Sequence, residues 1–153
     1  MGIEIERKYL VTGDAWRALG PGVPYRQGYL CTDRARVVRV RTMGQRAALT
    51  VKGLRVGATR PEFEYPIPVE DARRLLELCL QPIIEKTRYT VQAEGRTWEV
   101  DEFHGANAGL VVAECELEAE DQPLRLPAWV GEEVTADPRY GNNNLVARPF
   151  STW

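Results

Sequence analysis

The N-terminal segment Gly2-Ile3-Glu4-Ile5-Glu6-Arg7-Lys8-Tyr9-Leu10-Val11 decides the fold of this chain. Successive side chains of a β-strand point to opposite faces of the sheet. In a strand, Glu4, Glu6 and Lys8 therefore share one face. The opposite face carries Ile3 and Ile5. The segment predicts a strand with one ionised face and one apolar face.

Seven further segments show the same alternation, separated by turn residues such as Gly44, Gly53 and Gly95. They are expected to form strands at residues 24–32, 36–42, 46–52, 62–68, 83–93, 96–103 and 110–118. With residues 2–11 they make about eight strands that pair in sequence order. Such a meander tends to close into a barrel, which removes the exposed edges. The predicted fold is α+β and mainly β: an eight-stranded antiparallel closed barrel (a tunnel) with a charged lumen and a few helices packed outside.

Helical spacing of apolar residues appears between Pro68 and Pro82, and it predicts one amphipathic helix. Asp14 is a suitable N-cap for a short helix over residues 14–19. Two weaker helical stretches are expected near the C-terminus, at residues 130–135 and 142–146.

Nearly every predicted strand has one face made almost only of Glu, Asp, Arg and Lys. Contact with solvent would explain any single such face. However, like charges stand two residues apart, about 7 Å along a strand, which is unfavourable unless opposite charges lie between them. The lumen of a closed barrel provides that arrangement. It is expected to hold the acids Glu4, Glu6, Glu62, Glu64, Glu99, Asp101, Glu114, Glu116 and Glu118, and the bases Lys8, Arg39, Arg41, Lys52, Lys86 and Arg88.

An outer-membrane barrel also places polar residues inside, so it is the main structural alternative. The N-terminus has no apolar signal region, several strands are short for a bilayer, and the helix near residues 72–80 carries charges on one side. These features favour a cytoplasmic barrel with no membrane partner.

Acids and bases in one lumen suggest a chemistry. Carboxylate clusters suit hard divalent cations such as Mg²⁺ or Mn²⁺, and the bases suit a small polyanion. This combination of carboxylates and bases is typical of sites that catalyse metal-assisted phosphoryl transfer to water.

Composition narrows the classes of function further. The 153 residues, 44% of them hydrophobic, predict one domain over residues 1–153. The mean hydropathy of −0.36 argues against a long apolar span. A net charge of −2 gives no bulk positive field for nucleic acid. Three scattered cysteines argue against a disulfide framework, and the single histidine, His104, argues against a His metal cluster.

Several motifs resemble those of one known family. Glu4-Ile5-Glu6-Arg7-Lys8 matches the ExExK signature of the CYTH superfamily, the triphosphate tunnel metalloenzymes, and the resemblance runs through nearly the whole chain. Further matches are Arg26-Gln27-Gly28-Tyr29-Leu30, Val38-Arg39-Val40-Arg41, Thr50-Val51-Lys52-Gly53, Glu62-Phe63-Glu64-Tyr65, Glu85-Lys86-Thr87-Arg88-Tyr89, Trp98-Glu99-Val100-Asp101-Glu102-Phe103, Glu114-Cys115-Glu116-Leu117-Glu118 and Arg139-Tyr140-Gly141-Asn142.

The resemblance implies roles for individual residues. Glu4, Glu6, Glu114 and Glu116 are expected to hold Mg²⁺ or Mn²⁺. The phosphates are expected to contact Lys8, Arg39, Arg41, Lys52, Lys86 and Arg88. The expected catalytic residues are Glu6, Lys8 and Glu116. We expect the attacking water to be deprotonated with help from the metal ion or from a carboxylate such as Glu6 or Glu116.

The resemblance favours a metal-dependent triphosphatase, closest to the bacterial enzymes that hydrolyse inorganic triphosphate to diphosphate and phosphate. Alternatives are a thiamine triphosphatase or nucleoside triphosphatase, a class IV-type adenylate cyclase, and a non-catalytic module that binds polyphosphate or nucleotide. Trp129, Tyr140 and Trp153 are the aromatic residues that would form a base-stacking platform at one mouth. The apolar outer wall exceeds what the helices cover, which allows a homodimer.

Overall fold

The alternating segments form strands in the computed structural model, which describes residues 2–153. Each predicted strand is present with its ends shifted by three residues at most, and two of them, at 46–52 and 96–103, have the predicted bounds. The strands are β1 (Ile3–Val11), β2 (Gly22–Cys31), β3 (Val37–Met43), β4 (Arg46–Lys52), β5 (Thr59–Pro66), β6 (Ile84–Ala93), β7 (Arg96–Phe103), β8 (Val111–Glu116) and β9 (Val130–Glu133).

The first eight strands close into the predicted antiparallel barrel, in the order β1-β8-β7-β6-β2-β3-β4-β5. Closure occurs where β5 pairs with the start of β1, with Ile3 opposite Pro61 and Ile5 opposite Thr59. The prediction that strands pair throughout in sequence order is wrong at two places. β1 lies between β8 and β5 instead of beside β2, and β6 pairs with β2 instead of β5. The chain leaves the sheet between β5 and β6 to form a helix, so β6 rejoins it beside β2.

That helix, α1 (Val69–Leu78), is the amphipathic helix predicted after Pro68. Its buried residues Ala72 and Leu76 pack against Val40 on the outer face of β3. Cys79, at the end of α1, lies so close to β2 that a Cβ atom at Gly28 would stand 2.7 Å from the Cys79 Cβ. Position 28 therefore has no room for a side chain while α1 is packed here.

A second apolar cluster covers the outer face of β6, β7, β8 and β1. It contains Trp98 from β7, Trp16 from a 3-10 helix (Ala15–Leu19), and Trp129 from the segment before β9. The short helix predicted over residues 14–19 is thus present. Trp129 packs edge-on against Trp98, with ring centroids 5.9 Å apart, so it lies on the outer wall and not at a mouth of the barrel.

The C-terminal segment differs from prediction in one element. Residues 130–133 form β9 instead of a helix, because they continue the sheet along β1, with Val130 opposite Val11. The other predicted helix is present as α2 (Asn142–Ala147). Leu145 and Val146 of α2 pack against inward-facing apolar residues of the barrel, among them Ile84 and Phe103. While α1 packs outside the barrel, α2 lies against one of its ends.

Part of the outer wall stays exposed, including Phe63 and Tyr65 on β5. The homodimer and the cytoplasmic location stay predictions. No helix within residues 2–153 is long and apolar enough to cross a membrane.

Candidate active site

The ionised faces of the strands turn inward and line a cavity of about 750 Å³. Of the predicted lumen residues, all six bases and seven acids line it. Asp101 is completely buried behind Lys86 and Arg88. Glu118 lies outside the cavity because β8 ends at Glu116 and the chain turns away, with the Glu118 N–H donating to Gln122.

Two arginines of β3 lie side by side in this cavity. Arg39 and Arg41 both contact Oε1 of Glu64, with Nη2 atoms at 3.4 and 3.3 Å, and Arg39 also donates to Thr50. The Nε atoms of Arg39 and Arg41 are buried and have no hydrogen-bond acceptor. Burial lowers the pKa of Arg41, and the nearby Arg39 and Arg88 lower it further. Positive charge is therefore in excess near β3, because two guanidinium groups share the Glu64 carboxylate. Their two Nε–H donors have no acceptor.

Lys86 and Arg88 of β6 form a buried network with Asp101 of β7. Lys86 Nζ lies 2.8 Å from Asp101 Oδ2, and Arg88 donates to both Asp101 oxygens, at 2.7 and 2.8 Å. Burial alone would raise the pKa of Asp101, but Arg88 and Lys86 outweigh it and lower that pKa. For Lys86 burial dominates, and its pKa falls to about 7.

The C-terminal segment supplies further contacts to the lysines. Asn142, the first residue of α2, accepts hydrogen bonds through Oδ1 from Lys86 Nζ at 3.0 Å and from Gln27 at 3.3 Å. The carbonyl oxygen of Tyr140 accepts one from Lys8 Nζ at 3.1 Å. Residues 140–142 thus position two of the predicted phosphate ligands.

The four predicted metal ligands lie on two neighbouring strands. Glu6 and Glu116 are direct partners in the β1–β8 register, and Glu114 lies opposite Lys8. Burial and the Glu114 and Glu4 carboxylates hold the pKa of Glu6 well above its usual range. Burial, Glu4 and Glu99 also raise the pKa of Glu116.

Glu114 behaves differently from its neighbours. Burial alone would raise its pKa, but Lys8 and Arg88 outweigh it and hold the pKa well below its usual range. Carboxylates are therefore crowded along β1 and β8, although Lys8 and Arg88 balance the charge of Glu114.

Glu4 is held by bases. Lys52 Nζ lies 3.2 and 3.1 Å from its two carboxylate oxygens, and Arg55 Nη2 lies 3.9 Å from Oε1. Within residues 2–153, no three Asp, Glu, His or Cys side chains converge into a cation site. The donor set still suits a hard cation, because Glu4, Glu6, Glu114 and Glu116 all line the same wall and carboxylate oxygens are the ligands that such cations prefer.

The family assignment follows from comparison with known proteins. A model of the CYTH domain matches residues 2–150 of the chain. The chain belongs to the CYTH family. This agrees with the antiparallel barrel, its charged interior and the motif Glu4-Ile5-Glu6-Arg7-Lys8.

Two curated relatives match almost end to end. An inorganic triphosphatase of Acetivibrio thermocellus is 53% identical over 154 residues, covering 100% of this chain and 99% of the relative. An inorganic triphosphatase of Nitrosomonas europaea is 38% identical over 146 residues, covering 93% and 95%. The crystal structure of the inorganic triphosphatase NE1496 superposes with a TM-score of 0.66 at 37% identity, covering 94% of this chain and 93% of that one. Membership of the CYTH family implies dependence on a divalent metal ion.

Sequence reasoning missed three bases that also line the cavity, Arg34, Arg55 and Arg60. A signal existed for Arg60, because it has the same strand parity as Glu62 and Glu64. The predicted strand began at residue 62, whereas β5 begins at Thr59. Arg34 and Arg55 lie in connections between strands, where alternation gives no direction.

Proposed function

We propose that this CYTH protein hydrolyses inorganic triphosphate to diphosphate and phosphate with Mg²⁺ or Mn²⁺. The observation that carries this proposal is the pair of unused donors at the Nε atoms of Arg39 and Arg41. A buried guanidinium N–H without an acceptor is unfavourable, and a phosphate oxygen would satisfy it. Full-length similarity to two inorganic triphosphatases supports the same function.

In this proposal the bases bind and orient the substrate. Arg39 and Arg41 extend from β3, Lys52 from β4, Lys86 and Arg88 from β6, and Lys8 from β1, so cationic side chains surround the cavity. Guanidinium groups can donate two parallel hydrogen bonds to a phosphate, whereas lysines act as compact charges. These groups stabilise the charge that develops on the leaving diphosphate.

Glu4, Glu6, Glu114 and Glu116 would hold the divalent ion, which neutralises phosphate charge and makes water more acidic when bound. Water attacks the terminal phosphorus in line, the bridging P–O bond breaks, and diphosphate leaves. Glu6 or Glu116 accepts the proton that water loses, since a general base must lie within reach of the attacking water and both carboxylates line the cavity. No covalent intermediate is needed.

The cavity favours a substrate that is charged along its entire length. Trp129, Tyr140 and Trp153 do not form the stacking platform that was expected at one mouth, since Trp129 packs on the outer wall against Trp98. Tyr140 is buried and packs edge-on against Trp153, with centroids 5.1 Å apart. A nucleoside or thiazolium ring would therefore lack the stacking surface that those three residues were expected to provide.

A substrate panel tests this function. Release of phosphate is measured from inorganic triphosphate, ATP and thiamine triphosphate, each with Mg²⁺, Mn²⁺ or chelator, and cyclic nucleotide is measured for ATP. Inorganic triphosphate should give the highest kcat/KM, and Glu6→Gln should remove the activity, which excludes a contaminating phosphatase. Equal or better kcat/KM with another triphosphate would overturn the inorganic assignment. Binding without turnover would indicate a non-catalytic module.

A further inference from the structure

Arg55 is a lumen base to which the proposed reaction gives no role. It lies in the connection between β4 and β5, between the exposed Leu54 and Val56, and its own side chain is 28% exposed. Its guanidinium nevertheless points into the cavity. Its Nη2 atom lies 3.5 Å from Glu6 Oε1 and 3.9 Å from Glu4 Oε1.

Both contacts are longer than the usual distance between a guanidinium nitrogen and a carboxylate oxygen. Arg55 also donates from Nη1 to the Ala58 carbonyl at 3.3 Å, within its own connection. Arg60 provides a contrast, since two of its nitrogens, at 3.3 and 3.2 Å, fix it to the Gly53 carbonyl. The Arg55 guanidinium can therefore leave the carboxylates without breaking a close, bidentate pair.

Its partners are two of the proposed metal ligands. A guanidinium and a divalent cation compete for the same carboxylate oxygens. Lys52 also contacts Glu4, but it contacts Glu62 as well, at 3.3 Å, so it keeps a partner when Glu4 turns to a metal ion. Among the described residues, Arg55 has only Glu4 and Glu6 as carboxylates within salt-bridge distance.

We propose that Arg55 is a displaceable counter-ion. It neutralises Glu4 and Glu6 while the metal site is empty, and it turns to the substrate's phosphate oxygens when a divalent ion takes those carboxylates. Arg55 thereby sets the metal affinity and completes the ring of bases only in the metal-loaded protein. This inference rests on the proposed metal site.

The test measures Mn²⁺ binding without substrate, from the electron paramagnetic resonance signal of free Mn²⁺. Arg55→Gln should bind Mn²⁺ about fivefold more tightly than wild type, the effect expected from losing one partly exposed ion pair. At saturating Mn²⁺, its KM for inorganic triphosphate should rise. Arg55→Lys keeps the charge and should bind Mn²⁺ about as wild type does.

The matched control is Arg36→Gln, which removes the same charge from a pair with Asp33 on the surface, where the Arg36 side chain is 70% exposed. It should leave both Mn²⁺ affinity and KM unchanged. Thermal melting of each variant reports whether it is folded.

Separate outcomes distinguish this inference from the proposed metal site. If wild type binds Mn²⁺ and Glu4→Gln weakens that binding, the metal site stands. If Arg55→Gln then binds Mn²⁺ no more tightly than Arg36→Gln, the counter-ion role is wrong. Tighter binding with unchanged KM would contradict the transfer to phosphate. If wild type binds no Mn²⁺, both the metal site and the role of Arg55 are overturned.

Discussion

Lys86 Nζ and Asp101 Oδ2 are 2.8 Å apart, and their side chains are only 1% and 0% exposed. A buried pair of this kind contributes little net stability compared with apolar packing. However, removing one partner leaves the other as an uncompensated buried charge, which is strongly destabilising. Here Asp101 serves two cations, since Arg88 contacts it at 2.7 Å. The carboxylate therefore allows Lys86 and Arg88 to lie next to each other inside the barrel.

Asp101→Asn should destabilise the protein by about 3–5 kcal/mol, because it leaves two buried cations without their shared carboxylate. Urea unfolding measures this loss. Glu85→Gln is the matched control, since it removes a carboxylate from an exposed pair with Arg26 and should cost about 1 kcal/mol or less. Equal losses in the two variants would contradict the assigned role of Asp101.

Lys86 should make stability depend on pH above neutrality. Its pKa in the folded protein is about 7, which is below the ordinary lysine value, so between these values the unfolded chain binds the proton and the folded protein does not. Stability attributable to Lys86 is therefore lowest below about pH 7 and rises as pH increases toward the unfolded pKa.

The measurement is the free energy of unfolding of wild type relative to Lys86→Met from pH 7 to pH 10. Wild type should gain stability relative to the variant across this range. The charged groups that face Lys86 are Asp101, Arg88 and Glu114. All three are present in both proteins, so the comparison isolates the effect of removing the Lys86 amine. A constant or falling difference would show that Lys86 stays charged in the folded protein.

Strand alternation predicted the lining of the barrel because parity alone fixes which side chains face inward. It assigned Arg39, Glu64 and Lys86 to the lumen without any knowledge of strand order. It could not give that order, because pairing of β6 with β2 depends on how α1 crosses the outer wall.

Contacts made from outside the barrel strands were beyond prediction. Asn142 reaches Lys86 from α2, and Arg55 reaches Glu6 from a connection between strands. The directions of these side chains depend on tertiary packing and not on a local period. The error at β9 has the same origin, since residues 130–133 form a strand only because β1 offers them a free edge.

Glu6→Gln should abolish hydrolysis while preserving or raising stability in the absence of metal. The change removes a proposed metal ligand. It also removes an acid whose charged form is disfavoured by burial and by the Glu114 and Glu4 carboxylates, which together raise its pKa. Phosphate release and thermal melting in chelator test the two effects. Glu77→Gln, on the exposed side of α1, should change neither. Near-normal kcat at saturating metal would remove Glu6 from the metal site.

Arg39→Lys separates charge from geometry in the proposed phosphate site. The lysine keeps the positive charge but loses the forked guanidinium and the Nε donor that has no acceptor in the cavity. Loss of a charged hydrogen bond should lower kcat/KM for inorganic triphosphate by about 1–3 kcal/mol in transition-state free energy. Steady-state kinetics at saturating Mn²⁺ measure it. Arg46→Lys, an exposed change on the adjacent strand β4, is the matched control and should leave kcat/KM unchanged. If Arg39→Lys behaves like Arg46→Lys, Arg39 does not bind phosphate, and its unused donor has a different explanation.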